Sequence, residues 1–286
     1  QFTGYETLED QGKIIGLYSD GQPVESASEG TEVVVILDNT AFYAESGGQV
    51  GDSGYLNSQT AKIEILDCRK SGEHSLHIGR VQSGTIKAGA SVSSQVDKGL
   101  RQAIALNHSA THLAHEALRQ VLGEHVVQKG SLVDSEKLRF DFSHTQAVSS
   151  EELRKVEQMV NSEILRNTEI TTQLMSMDDA KEEGAMALFG EKYDDEVRVL
   201  SMGGGFSVEL CGGTHAERTG DIGLIKITSE SSVASGVRRI EAVTGPTALA
   251  YCEKTQDTVE EVANIARVAK NKVIEKVRQV VEDNRR

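Results

Sequence analysis

The sequence predicts an α+β fold: a β-barrel-like N-terminal part, a two-layer α/β part and a long C-terminal helix. Three observations carry this. Residues 1 to about 96 alternate short β-branched runs with glycine turns. From about residue 97 helical and strand periods mix. Beyond Gly245-Pro246 only a polar helical period remains. The matching division of the chain is 1–96, 97–245 and 246–286.

The first part reads as strands at Lys13 to Tyr18, Glu32 to Leu37, Ala61 to Leu66 and Ser75 to Gly79, with Asp-Gly, Gly-Thr and Ser-Gly punctuation. Short strands at this spacing suggest a small barrel or sandwich. In the second part Leu113, Ala117, Leu118 and Val121 recur at helical spacing, and Gly123 is the expected stop. Leu138, Phe140 and Phe142 alternate with Arg139 and Asp141, as in a half-buried strand. Ser149-Ser-Glu-Glu152 is a capping box opening a helix through Leu153, Val156, Val160 and Ile164. A shorter helix is expected from Asp178 to Leu188. Strands follow at Val197 to Met202, Phe206 to Leu210, Ile222 to Thr228 and Val237 to Val243. Thr247 to Arg286 reads as one long polar helix. Val259, Val262, Ala266, Ala269 and Val273 give it a weak coiled-coil seam, from which Val277 departs.

At 38% hydrophobic the 286 residues can bury a proper core, and with 4% aromatics and no tryptophan that core is mostly aliphatic. No apolar run reaches 18 residues and the N-terminus lacks a signal peptide's pattern, so no membrane association and a cytoplasmic protein are expected. Cys68, Cys211 and Cys252, odd in number and widely spaced, do not read as a disulfide framework. The net charge of −14 counts against strong free-standing nucleic-acid binding. Lys98, Arg101, Lys129, Arg139, Arg238 and Arg239 are the candidates for a local basic rim. Arg238 and Arg239 should face opposite ways on their strand, with Glu241 on the Arg239 side. The chain opens at Gln1 without methionine and closes on Asn-Arg-Arg without a stop signal, which suggests a piece of a longer protein.

The chemistry concentrates in two half-sites, His108-Ser-Ala-Thr-His112 and Cys211-Gly-Gly-Thr-His215. Ligands four residues apart on a helix or tight turn point the same way. Together they supply the donors of a tetrahedral zinc site. His115 lies on the same helical face, all three histidines falling within about 60°, and is an alternative ligand. The other reading of Cys211 is a buried structural cysteine before a loop. A zinc peptidase of the His-Glu-x-x-His kind is excluded, because Ser109 stands where the general-base glutamate belongs. No Gly-x-Ser-x-Gly elbow or phosphate loop is present.

Several blocks resemble the editing region of the alanyl-tRNA synthetases. They are Thr40-Ala-Phe-Tyr43-Ala-Glu-Ser46-Gly-Gly-Gln49 with Gly51-Asp52, Asn107-His-Ser-Ala-Thr-His112-Leu-Ala-His115, Gln128-Lys-Gly130-Ser and Leu138-Arg-Phe-Asp-Phe-Ser143. Leu210-Cys211-Gly-Gly-Thr-His215 and Gly236-Val-Arg-Arg-Ile-Glu-Ala-Val-Thr244-Gly complete them. The resemblance runs in order along nearly the whole chain. It assigns zinc to His108, His112, Cys211 and His215 and leaves His115 as a neighbour.

What the resemblance implies is hydrolysis of the ester in mischarged tRNA for alanine, chiefly the seryl form, with the glycyl form second. An alanine-sized pocket rejects one added hydroxyl weakly, so a second site must restore accuracy. By the same resemblance Thr40 would hydrogen-bond the serine hydroxyl, Gln128 would lie in the segment lining the pocket, and Cys211 would be essential through the metal. The local alternatives are a turn residue for Thr40 and a solvated helix end for Gln128. Ser46-Gly47-Gly48-Gln49 and Gly203-Gly-Gly205 are glycine turns with no role in the catalytic set. The expected partners are tRNA for alanine and the remaining domains of a full-length, ATP-dependent synthetase, whose ligase centre is not in these residues. The rivals are a free-standing editing hydrolase of the same superfamily and a non-catalytic zinc-stabilised module that docks tRNA.

Overall fold

A computed structural model describes residues 1–187 and 194–285. The N-terminal part contains β1 (Glu9–Ser19), β2 (Gln22–Pro23), β3 (Ser26–Ser28), β4 (Glu32–Leu37), β5 (Gly54–Asn57), β6 (Ala61–Ser71), β7 (His74–Lys87) and β8 (Ser91–Val96). Six of these strands pair antiparallel in the ring β1-β4-β7-β6-β5-β8, and β8 pairs back to β1, which closes the barrel. Closure removes sheet edges, and the short β2 and β3 add on to β1 and β7. Strict alternation fills the interior: Val33, Val35 and Leu37 point inward from β4, and Ile63 and Ile65 from β6. Strands β5 and β8 are not marked by the sequence, because their apolar residues are few and β8 is rich in serine.

The chain then enters α1 (Lys98–Leu122), with Asp97 as N-cap accepting from the Leu100 amide and Gly123 just past its end. The helix is buried almost continuously from Ile104 to Leu118. It packs with α2 (Ser150–Arg166) against the antiparallel sheet β14-β15-β10-β9. Here β9 is Gln128–Val133, β10 Leu138–Ser143, β14 Ile225–Ala234 and β15 Val237–Thr244. The Ser149–Glu152 capping box at α2 is formed. Leu113, Leu118, Phe140, Phe142, Val160 and Ile164 form the centre of this second core. A third sheet orders β11 (Thr171–Ser176), β12 (Glu196–Met202) and β13 (Ser207–Leu210). The short helix α3 covers Met177–Glu182 and so ends well before the expected Leu188, which lies outside the described residues.

The C-terminal helix is present as α4 (Gly245–Ala266), but the helical stretch is not continuous. Arg267 takes the left-handed conformation (φ 53°), and the chain resumes as α5 (Val273–Asp283). The expected seam is therefore cut between Ala266 and Ala269. Among the described residues no helix is long and apolar enough to cross a membrane.

One polar chain runs through the barrel core. The Val35 carbonyl can only accept, so His77 Nδ1 carries the hydrogen of their 2.8 Å bond. His77 Nε2 then accepts from the Thr40 hydroxyl at 2.7 Å, and that oxygen accepts from the Phe42 amide at 3.1 Å. Thr40→Val should cost about 1–3 kcal/mol of stability, because it leaves two buried groups unpaired. A urea-melt difference well below this range would show that the bond contributes nothing.

Burial pushes His77 down from 6.5 to about 4. Unfolded His77 takes up a proton below about pH 6.5, whereas the folded one resists it. Stability from this group is thus complete above about pH 6.5 and is lost as pH falls toward 4, by about 3 kcal/mol in all. Urea midpoints between pH 7 and 4 should follow this course, and the non-titrating His77→Gln should remove that part of the slope.

Candidate metal centre

Helix α1 presents His108 and His112 one turn apart on its buried face. Cys211 and His215 come from the turn that follows β13. The four donor atoms lie within 4.8 Å of one another. Cys211 Sγ is 3.5 Å from His108 Nε2 and 3.3 Å from His215 Nε2. Tetrahedral zinc with N and S ligands at ordinary bond lengths requires such pairs roughly 3.5 Å apart. His112 Nε2 is buried and has no hydrogen-bond partner. An orphaned imidazole nitrogen beside a thiolate fits a metal ion, since a buried polar atom otherwise stays unsatisfied at a cost. His115 stays outside the set: the donors that lie within 4.8 Å of one another are those of His108, His112, Cys211 and His215, and the His115 ring lies against Phe140.

The turn needs glycine for close approach. Neither Gly212 nor Gly213 has positive φ, so no left-handed backbone requires glycine here. A Cβ on Gly213 would instead stand 2.1 Å from His108 Cε1 and 2.7 Å from Gln49 Oε1. The Gly213 amide also donates to Cys211 Sγ at 3.4 Å.

Each imidazole is held from behind by an oxygen. His108 Nδ1 is 2.7 Å from Gln49 Oε1. His112 Nδ1 and His115 Nδ1 are each 3.2 Å from the Glu209 carboxylate, so both donate, and Nε2 is the His112 nitrogen that faces the cluster. His215 Nδ1 is 3.2 Å from the Ser109 hydroxyl, which also accepts from the Ala216 amide. Sequence reasoning did not single out these three supports. Glu209 is two residues before Cys211 and shares its strand face, a signal that could have found it. Gln49 is 59 residues from His108 and has no local signal.

Burial opposes charge on both Cys211 and Glu209, yet the surrounding imidazoles hold each below its ordinary value. Burial likewise disfavours charge on His112, but Glu209 and Cys211 outweigh it and push His112 up. Burial drives His215 down. Buried anions are held only when paired, and here the imidazoles, or a cation held among them, supply the partner.

A cavity of about 360 Å³ adjoins the cluster, with His108, Cys211 and Gly213 on its wall. Phe2, Tyr5 and Tyr43 close its barrel side. Arg198 lies over the Tyr5 ring, 3.5 Å from its centroid. Neither Thr40 nor Gln128 is among the described residues lining it. Thr40 is buried against His77, and Gln128 opens β9 opposite Phe142, half-buried, instead of ending a helix.

The supposed basic rim is largely consumed by ion pairs. Arg101 is buried on Asp52, Arg238 pairs with Glu230, and Arg239 donates to Asp141 at 2.7 and 2.9 Å. Glu241 pairs with Lys137 at 2.7 Å, not with Arg239.

Two family models match. "tRNA synthetases class II (A)" covers residues 1–100, and "Threonyl and Alanyl tRNA synthetase second additional domain" covers residues 197–241. Among curated relatives, the alanine–tRNA ligase of Pseudomonas entomophila (strain L48) is 59% identical over 99% of this chain and 32% of its own length. That of Saccharophagus degradans is 56% identical over 99% of this chain and 32% of its own. The alanine–tRNA ligase of Pseudomonas fluorescens is 56% identical over 100% and 33%. The chain thus spans about a third of the length of these relatives. With the half-sites, the barrel and identity above one half from end to end all in agreement, the chain belongs to the alanine–tRNA ligase family, as one segment of it.

Proposed function

We propose that this segment hydrolyses the ester of mischarged tRNA for alanine, with seryl-tRNA as the main substrate and glycyl-tRNA second. The observation that carries this reading is the His108, His112, Cys211 and His215 cluster opening on a cavity, within a chain that resembles alanine–tRNA ligases. In this reading residues 1–96 wall the cavity, 97–245 hold the metal, and 246–286 lead toward the rest of a cytoplasmic synthetase.

The donor set of three imidazoles and one thiolate fits zinc. Zinc bound there would supply a fixed positive charge for the amino acid or for the developing oxyanion. The chain's own residues do the rest. Glu209, Gln49 and Ser109 fix the three rings, and the aromatic wall of Phe2, Tyr5 and Tyr43 limits water. His108, His112, Cys211 and His215 would fill a tetrahedral zinc shell; among them His215 is the least buried, and its support is a neutral hydroxyl.

Two measurements test the proposal together. Elemental analysis should find about one equivalent of zinc for a four-ligand site. A deacylation assay should show seryl-tRNA cleaved in preference to alanyl-tRNA. Full hydrolysis by protein free of transition metal would end the zinc reading. Zinc without hydrolysis would favour the tRNA-docking module.

A further inference from the structure

We infer that Gln49, delivered by the barrel, is the positioning residue that joins the two metal half-sites and fixes His108 for ligation. The inference rests on the reading of the cluster as a metal centre.

Gln49 is fully buried. Its carboxamide touches both half-sites. Oε1 accepts from the Thr214 amide at 2.9 Å, and Nε2 donates to the Thr214 hydroxyl at 2.8 Å. Thr214 lies inside the Cys211–His215 turn. A backbone amide can only donate, so the Gln49 oxygen is assigned without ambiguity. The same oxygen stands 2.7 Å from His108 Nδ1. That nitrogen must therefore carry a hydrogen, which leaves the Nε2 lone pair aimed at Cys211 Sγ. One side chain thus sets the tautomer of a ligand on α1 and the conformation of the turn bearing the other two.

The backbone around Gln49 holds it in place. Gly48 has φ 85°, and a Cβ there would stand 2.6 Å from the Ser131 carbonyl. The loop is tied to β9 by Val133 N–H to Gly48 O at 2.8 Å and Val50 N–H to Val133 O at 3.0 Å. Gly48 lets the loop lie this close to β9, and Gln49 then reaches the cluster. The barrel accordingly contributes to metal affinity without supplying a ligand.

The test compares the parent chain with Gln49→Met and Gln49→Glu. Methionine fills the space without an acceptor, whereas glutamate keeps one facing His108. Zinc affinity is read by competition with a chromophoric chelator. Gln49→Met should bind about 10- to 100-fold more weakly, as expected when a ligand's supporting partner is lost. Gln49→Glu should stay within about three-fold of the parent. Val35→Ala, which loosens the barrel core away from the cluster, should leave zinc affinity unchanged and so separates general destabilisation from positioning. A second readout is a slowly exchanging His108 Nδ1–H proton in NMR of the zinc-loaded parent, kept in Gln49→Glu. Its absence from the parent would overturn the inference even if Gln49→Met did not fold. Equal affinity in Gln49→Met and the parent would also overturn it. A parent chain that binds no zinc would instead end the metal reading itself.

Discussion

Cys211→Ala should lose zinc and slow seryl-tRNA hydrolysis by at least about 100-fold. The thiolate is the one full anion among the four donors, and it stands 3.3 to 3.5 Å from two of the other three. Its removal leaves three imidazoles and no anionic donor in a buried pocket, a much weaker cation site. Any metal that remains shifts, and about 1 Å of misplacement at a reacting centre can cost about 100-fold in rate. The barrel should keep its fold, because its core contains no cluster residue, whereas Cys211 lies in the second core. Circular dichroism checks that point. If Cys211 were a covalent nucleophile, the same variant would lose activity yet keep its zinc, and the parent would yield a trappable thioester. Zinc content and single-turnover hydrolysis in one preparation separate the two. Near-normal hydrolysis by Cys211→Ala would remove the centre from the mechanism.

The four donors of the cluster were legible because each half-site is local: two donors four residues apart on one turn of chain. Strong periodicity likewise revealed β4, α1, α2 and β10. Strands β5 and β9 escaped because four to six residues of mixed polarity give no clear period, and β9 has only Val133 fully buried. The break at Arg267 escaped because a non-glycine residue in the left-handed region leaves no signature in the sequence. The supports of the ligands were hidden for a different reason. Gln49 and Ser109 acquire their roles only when barrel, helix and turn meet, and a buried glutamine looks like a surface one until then. The basic residues misled in the same way. Arg101 resembles a surface charge at a helix start, yet it is 7% exposed.

That arginine carries the largest expected effect on stability: Asp52→Asn should cost about 3–5 kcal/mol, in the range for breaking a buried ion pair from one side. Arg101, near the start of α1, donates through Nε to both Asp52 oxygens at 3.1 and 3.0 Å. Its other nitrogens donate to the carbonyls of Gly4 at 2.7 Å and Ala41 at 3.0 Å. Asp52 in turn accepts from the Tyr43 amide at 2.8 Å. Asparagine preserves shape but removes the charge that compensates Arg101, which cannot shed its proton. The pair was also placed where it matters for chemistry. It fastens Gly4, Ala41 and Tyr43, the backbone that carries the aromatic cavity wall, to the helix that carries His108 and His112. Asp52→Asn should therefore lower the urea midpoint and, under conditions where the fold is still intact, weaken substrate binding with zinc retained. The double variant Asp52→Leu, Arg101→Met should recover much of the lost stability, since an apolar pair leaves no buried charge. It should not recover substrate binding, because the carbonyls of Gly4 and Ala41 stay untethered. A loss below about 1 kcal/mol in Asp52→Asn would mean that water reaches Arg101 and that the barrel and helix are joined by apolar packing alone.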